Sequence, residues 1–207
     1  MLRPKVKICG ITNLEDALSA ARLGADALGF VFYKRSPRYI KPGKAREIIK
    51  KLPPSIKKVG VFAGSREATA KRLAKHLKLD MLQFHGNESK EFCLRFKGFK
   101  IIKAFRVGRK ILPSDLSGYA AWAYLFDTSL KNKFGGTGKA FDWRLLGCLK
   151  GLKKTIFLSG GLKPENVARA LKVFPSQWVD ASSSLEKSPG RKDRDKLRRF
   201  IRNAKNA

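Results

Sequence analysis

Short apolar strands alternate with amphipathic helices from one end of this chain to the other, and that rhythm leaves few folds open. Strands are expected near Lys5–Ile11, Ala27–Phe32, Lys57–Phe62, Met81–Phe84, Lys100–Phe105, Ala123–Asp127, Thr155–Leu158 and Trp178–Ala181. Their runs of Val, Ile, Leu and Phe are short and bounded by turn residues, the pattern of a covered parallel sheet. Between them Leu14–Leu23, Lys44–Leu52, Ala68–Leu77, Lys90–Phe96, Trp143–Leu152, Glu165–Phe174 and Asp193–Ala204 have the length and spacing of helices, while the fifth crossover, around Pro113–Ala121, is weak. Eight such units in 207 residues leave no room for an added domain. The expectation is one α/β domain over residues 1–207, a parallel eight-stranded (β/α)8 barrel of the TIM type. An open doubly wound sheet is less favoured, because its phosphate loop normally follows the first strand.

Local signals agree with that parsing. Thr12 with Glu15 three residues on can form a capping box, Gly24 can end the first helix, and Pro164 suits a first helical position. With 43% hydrophobic residues the chain can bury one sizeable core. No apolar run reaches the roughly 18 residues of a membrane span, and Met1 leads straight into a charged strand, so a soluble cytoplasmic protein is expected. Cys9, Cys93 and Cys148 are odd in number and widely separated, which favours neither a disulfide framework nor a structural metal. Cys93 and Cys148 lie in apolar helical patterns and read as core thiols.

The charge is unusual. Lys and Arg number 46 against 16 Asp and Glu, a formal +30 that no barrel requires. Because the basic residues are spread along the chain, solvated faces are the plain reading. A field of that strength would still attract nucleic acid weakly at low salt, and it would draw in a small substrate bearing phosphate and carboxylate.

Candidate chemistry gathers at the ends of the strands, where a parallel barrel keeps its active site. Lys5-Val6-Lys7-Ile8-Cys9-Gly10 delivers a thiol to the end of the first strand, and Leu125-Phe126-Asp127 a carboxylate to the end of the sixth. Their types fit an acid–base pair. Ser159-Gly160-Gly161 and Ala181-Ser182-Ser183 follow strands seven and eight, the two loops that frequently make a phosphate site in this fold. Asp180 sits at the base of the second loop, where its carboxylate would orient loop amides or a sugar hydroxyl. Ser129, Asn132, Gly135, Gly136 and Gly138 form a long connection after strand six, a candidate lid. Nothing in the sequence calls for a cofactor or a metal.

Taken in order, Cys9-Gly10-Ile11-Thr12, Leu125-Phe126-Asp127-Thr128, Gly135-Gly136-Thr137-Gly138-Lys139, Phe141-Asp142-Trp143, Leu158-Ser159-Gly160-Gly161-Leu162 and Val179-Asp180-Ala181-Ser182-Ser183 resemble the phosphoribosylanthranilate isomerases of tryptophan biosynthesis, from about Lys5 to the C-terminus. The resemblance implies an Amadori rearrangement of N-(5-phosphoribosyl)anthranilate without a cofactor, with Asp127 as general acid and Cys9 as general base. It places Arg38 against the anthranilate carboxylate and His85 in the pocket near the aromatic ring, a strand-capping histidine being the plain alternative. Gly160, Gly161, Ser182 and Ser183 would hold phosphate. The chemistry asks for positive surroundings, such as Lys7, to supply a thiolate at Cys9, and for an apolar setting to keep a proton on Asp127. One departure stands out: Ser184 replaces the family's usual glycine, and if that position needs positive φ the serine is strained and KM rises.

Two other functions fit less well. The related histidine-pathway aminoaldose isomerase shares the fold but uses a carboxylate where this chain has Cys9. A nucleic-acid-binding barrel rests on the charge alone, since no array of stacking aromatics accompanies it. A monomer and a homodimer are both compatible with the sequence.

Overall fold

The computed structural model describes residues 3–128 and 140–207. Eight strands, β1 (Lys5–Cys9), β2 (Ala27–Val31), β3 (Lys57–Phe62), β4 (Met81–Phe84), β5 (Lys100–Val107), β6 (Ala123–Thr128), β7 (Thr155–Leu158) and β8 (Trp178–Ala181), pair in sequential order. All pairs are parallel, and β8 returns to β1 with Lys7 level with Asp180, so the barrel is closed. The open-sheet alternative falls with that pairing.

Inward and outward residues alternate along each strand, and the two sets form different cores. Ala27, Val59, Met81, Ile102, Ala123, Leu125, Phe157 and Trp178 fill the interior, and Phe157 stacks on Trp178 with ring centroids 4.7 Å apart. Cys9, Val31 and Val61 form a smaller layer above them. The outward set, including Ile8, Phe30, Phe62, Phe84 and Phe126, packs under the helices. The interior is thus plugged below the pocket, and chemistry is confined to one mouth.

Helices α1 (Leu14–Arg22), α2 (Pro42–Ile49), α3 (Glu67–His76), α4 (Lys90–Leu94), α6 (Val167–Val173) and α7 (Arg194–Lys205) fall within two or three residues of expectation at most ends. The weak fifth crossover is the four-residue helix α5 (Pro113–Leu116), and Trp143–Leu149 winds as a 3-10 helix. Three local expectations need correction. Asn13, and not Thr12, caps α1 by accepting from the Asp16 N–H at 2.9 Å. Pro164 lies in a turn ahead of α6, where Asn166 ties the loop by accepting from Lys163 N–H and donating to the Gly161 carbonyl. Cys148 is exposed, so only Cys93 of that pair is a core thiol.

The sequence reading also missed a small antiparallel hairpin between the barrel and α7, β9 (Glu186–Ser188) with β10 (Arg191–Lys192). Thr12 donates its hydroxyl to the Gly190 carbonyl at the hairpin's turn. The candidate lid residues Ser129, Asn132, Gly135, Gly136 and Gly138 lie outside the described residues.

Candidate active site

One pocket opens at the C-terminal mouth of the barrel, and Cys9, Arg38, His85, Asp127, Gly160, Gly161, Asp180, Ser182 and Ser183 all line it. Cys9 ends β1 beside Gly29 of β2, where a Cβ would lie 2.8 Å from its Sγ, so glycine makes room for the thiol. Asp127 belongs to β6. Its Oδ1 accepts the Thr128 N–H at 2.8 Å and its Oδ2 lies 3.0 Å from His85 Nε2. His85 therefore sits beside the expected acid, a contact between residues 42 positions apart that no local pattern signals.

Below the thiol, Lys7 is wholly buried and donates to Asp180 Oδ1 at 2.7 Å, while the Ser159 hydroxyl lies 3.4 Å from Asp180 Oδ2. Asp180 is thus held by a lysine from its neighbouring strand, not by the loop amides. Burial works to lower the Lys7 ammonium, but attraction to Asp180 and to Cys9 outweighs it and holds the group above its ordinary value.

The hairpin contributes a second set of charges. Lys192 Nζ donates to the carbonyls of Cys9 (2.7 Å) and Ser182 (3.1 Å) and to Glu186 at 2.9 Å. Arg38 grips the same carboxylate with Nε at 2.9 Å and Nη2 at 2.7 Å. Burial would raise the Glu186 carboxyl, yet the hydrogen bond from Arg38 and the charge of Lys192 hold it below the ordinary range. Burial pushes the Lys192 ammonium down against the pull of Glu186. These groups hold one edge of the Arg38 guanidinium, and the residue also lines the pocket.

The positive surroundings expected of Cys9 are present, but they do not prevail. Burial pushes the thiol up, Asp180 adds to that, and Lys7 and Lys192 pull down without offsetting it. The net effect holds the Cys9 thiol above its ordinary value.

In the loop after β7, Gly160 and Gly161 have φ of 79° and 66°. A Cβ on Gly160 would come within 2.6 Å of the Thr128 nitrogen, so both conformation and space require glycine. Ser182 commits its hydroxyl to the Cys9 carbonyl at 3.0 Å. The backbone N–H groups of Gly161, Ser182 and Ser183 have no acceptor among the described residues. Ser184 contradicts the strain expected of it: it lies in the 3-10 turn Ser183–Leu185, its φ is not positive, and its hydroxyl donates to the Leu162 carbonyl.

Sequence reasoning missed Glu186, Lys192 and Gln83. The first two carried one usable signal, the Pro189-Gly190 turn dipeptide between charged residues. Gln83 carried only its place two residues before His85 on an otherwise apolar strand.

Fold and pocket together define an acid–base enzyme for a phosphorylated anionic substrate, built at the mouth of a (β/α)8 barrel. Residues 6–203 match the family model described as "N-(5'phosphoribosyl)anthranilate (PRA) isomerase". A curated isomerase of that name from Geobacter sp. (strain M21) is 48% identical over 97% of this chain and 98% of its own length. The solved phosphoribosyl anthranilate isomerase of Thermotoga maritima is 42% identical, with a TM-score of 0.91 over 99% of this chain and 100% of that one. Another solved isomerase, in complex with reduced 1-(o-carboxyphenylamino)-1-deoxyribulose 5-phosphate, is 40% identical with a TM-score of 0.87 over the same shares. The chain belongs to the N-(5'-phosphoribosyl)anthranilate isomerase family.

Proposed function

We infer that this protein isomerises N-(5-phosphoribosyl)anthranilate to 1-(2-carboxyphenylamino)-1-deoxyribulose 5-phosphate in tryptophan biosynthesis, with residues 1–207 acting as one catalytic barrel. The observation that carries the reading is the convergence of Cys9, Asp127 and both phosphate loops on one pocket in a member of this family. Membership in that family, together with Cys9 at the base position, decides against the histidine-pathway isomerase.

The substrate's phosphate sits on the amides of Gly161, Ser182 and Ser183, and its carboxylate on the outward edge of Arg38. Asp127 protonates the furanose ring oxygen as the C1–O bond breaks, leaving a C1=N Schiff base. Cys9 takes the proton from C2 to give an enolamine, which becomes the ketone when C1 gains a proton and the 2-hydroxyl loses one. The iminium charge beside C2 appears at the step that needs a thiolate, and a nearby cation lowers a thiol's pKa. A thiol that burial holds above its ordinary value is thereby activated by the first half of the reaction.

The test is loss of anthranilate-type fluorescence on mixing substrate with the protein, beside Cys9→Ala and Asp127→Asn. Each substitution should cost about 10²- to 10⁴-fold in kcat, the ordinary worth of one acid or base. A folded wild type without turnover would overturn the reading. The assembly is a monomer or a homodimer, the dimer being the form named for the Thermotoga maritima relative. We place the enzyme in the cytoplasm, where such biosynthesis runs, and among the described residues no helix is long and apolar enough to cross a membrane. The +30 charge further supports weak, salt-sensitive binding of nucleic acid; affinity for duplex DNA that persists above physiological salt would instead point to a dedicated site.

A further inference from the structure

If Asp127 is the acid, it must reach each turnover carrying a proton, and the groups that face it bear on how one is supplied. Thr128 N–H occupies Oδ1, while Oδ2 faces His85 Nε2 at 3.0 Å. On the far side of the imidazole, Nδ1 lies 2.6 Å from the Gln83 amide, which is wholly buried on β4 and is drawn with its nitrogen, Nε2, toward the ring. The other polar end of that amide has no partner among the described residues, so the imidazole alone sets which end faces the ring. Oxygen and nitrogen ends have the same shape, and the hydrogen-bond network decides between them.

The two orientations have different chemical consequences. With the NH2 toward the ring, Nδ1 is an acceptor, Nε2–H donates to Asp127, and the carboxylate is ionised with nothing to give. With the carbonyl toward the ring, Nδ1–H donates to it, and Nε2 turns its lone pair to Asp127 Oδ2. Two acceptors then face each other at 3.0 Å, an arrangement that holds only with one proton between them. The second requires the amide to be turned over from its drawn orientation, and the 2.6 Å contact favours that, because so short an approach suits an oxygen facing the ring N–H better than two nitrogens facing each other.

We propose that His85 is a positioning residue that shares the working proton of Asp127, held in the competent tautomer by the buried Gln83 carbonyl. The proton leaves the Nε2–Oδ2 pair for the furanose ring oxygen as the C1–O bond breaks. The pair regains one when the 2-hydroxyl of the enolamine gives up its proton on forming the ketone, while Cys9 returns to C1 the proton it took from C2. The proposal rests on the isomerase reading for its kinetic consequence, but the tautomer can be read without turnover.

The chain has two histidines, and His76 is exposed on α3, so full-length protein labelled with 15N at histidine gives two separable sets of ring signals. Ligand-free wild type at neutral pH should show His85 Nδ1 protonated, and Gln83→Leu should lose that preference. An unprotonated Nδ1 in the wild type would overturn the proposal. In kinetics, His85→Gln keeps an N–H donor for Asp127 but cannot take up a proton, so kcat should fall about 10- to 100-fold, within the range of proton-transfer catalysis, with KM held within about twofold. Wild-type kcat in that variant would equally overturn it. Should the folded wild type show no turnover at all, the isomerase reading fails, and the ring signals still decide the pair.

Discussion

Replacing Lys7 by Met tests the electrostatics beneath the pocket. The ammonium and the Asp180 carboxylate are 2.7 Å apart with side-chain exposures of 0% and 5%, and without Lys7 the carboxylate keeps, among the described residues, only the Ser159 hydroxyl at 3.4 Å. Removing one partner of such a pair costs about 3–5 kcal/mol. The penalty at pH 7 has a ceiling, because protonating an ordinary carboxylic acid there costs about 4 kcal/mol. For a chain of this size each kcal/mol moves Tm by about 2–4 °C, so Lys7→Met should lose about 6–16 °C. Because the orphaned carboxylate escapes by taking a proton, the loss should shrink to about 1.5 kcal/mol at pH 5. Adding Asp180→Ala should recover most of the stability, since it removes the orphaned charge. Thermal unfolding of the two variants at pH 5 and pH 7 measures each quantity. A loss under about 1 kcal/mol at pH 7, or one that does not fall at pH 5, would refute the account of a dry, paired interior. The wild-type pair has the opposite sign of pH dependence: Lys7 is held above its ordinary value, so its contribution is complete below about pH 10.4 and is lost as pH rises through the raised value.

Thiol chemistry should separate the three cysteines: exposed Cys148 reacts with a disulfide reagent at once, whereas Cys9 and Cys93, the latter pushed up to about 11 by burial, lag well behind. Comparable rates for all three would contradict the burial. Gly29→Ala drives a methyl to 2.8 Å from Cys9 Sγ and 3.1 Å from its Cα, so stability should fall by about 1–3 kcal/mol. Its kcat should drop while KM stays near wild type, and an unchanged kcat would show that the thiol's position is not critical. Ser184→Gly removes the hydroxyl bond to Leu162 without relieving any strain, at a cost of about 1 kcal/mol. A KM lower than wild type in that variant would restore the strained-loop idea.

The barrel was legible because each strand is buried on both faces and therefore reads as an apolar run, and because only closure fits eight short units into this length. Cys9 and Asp127 were legible because they interrupt those runs at their ends. Lys7, also an inward residue, breaks the pattern of β1, but its partner Asp180 is at the other end of the sequence, and only closure of β8 on β1 joins them. Glu186 and Lys192 were hidden for a different reason. Strands of three and two residues bury too little to show a period, so a polar hairpin whose charges turn inward looks like a solvated loop. Thr12 was misread as a cap because its hydroxyl is claimed by that same hairpin.

The charge that dominates the composition is not concentrated where the chemistry is. Around the pocket Lys7, Arg38 and Lys192 are answered by Asp180 and Glu186, three cations against two carboxylates, while Asp127 and His85 sharing one proton add no net charge. Almost all of the excess over neutrality therefore lies on the outer surface, where it acts over a distance of about 10 Å at 0.1 M salt. A field outside a nearly balanced site gathers an anionic substrate without altering the proton transfers within it. Raising salt from about 0.02 M to about 0.5 M, where the screening length shrinks several-fold, should lower kcat/KM by about tenfold and leave kcat within about twofold. If kcat falls in step with kcat/KM, the surface field reaches the acid and base directly, and the near balance of charge around the pocket does not insulate the site.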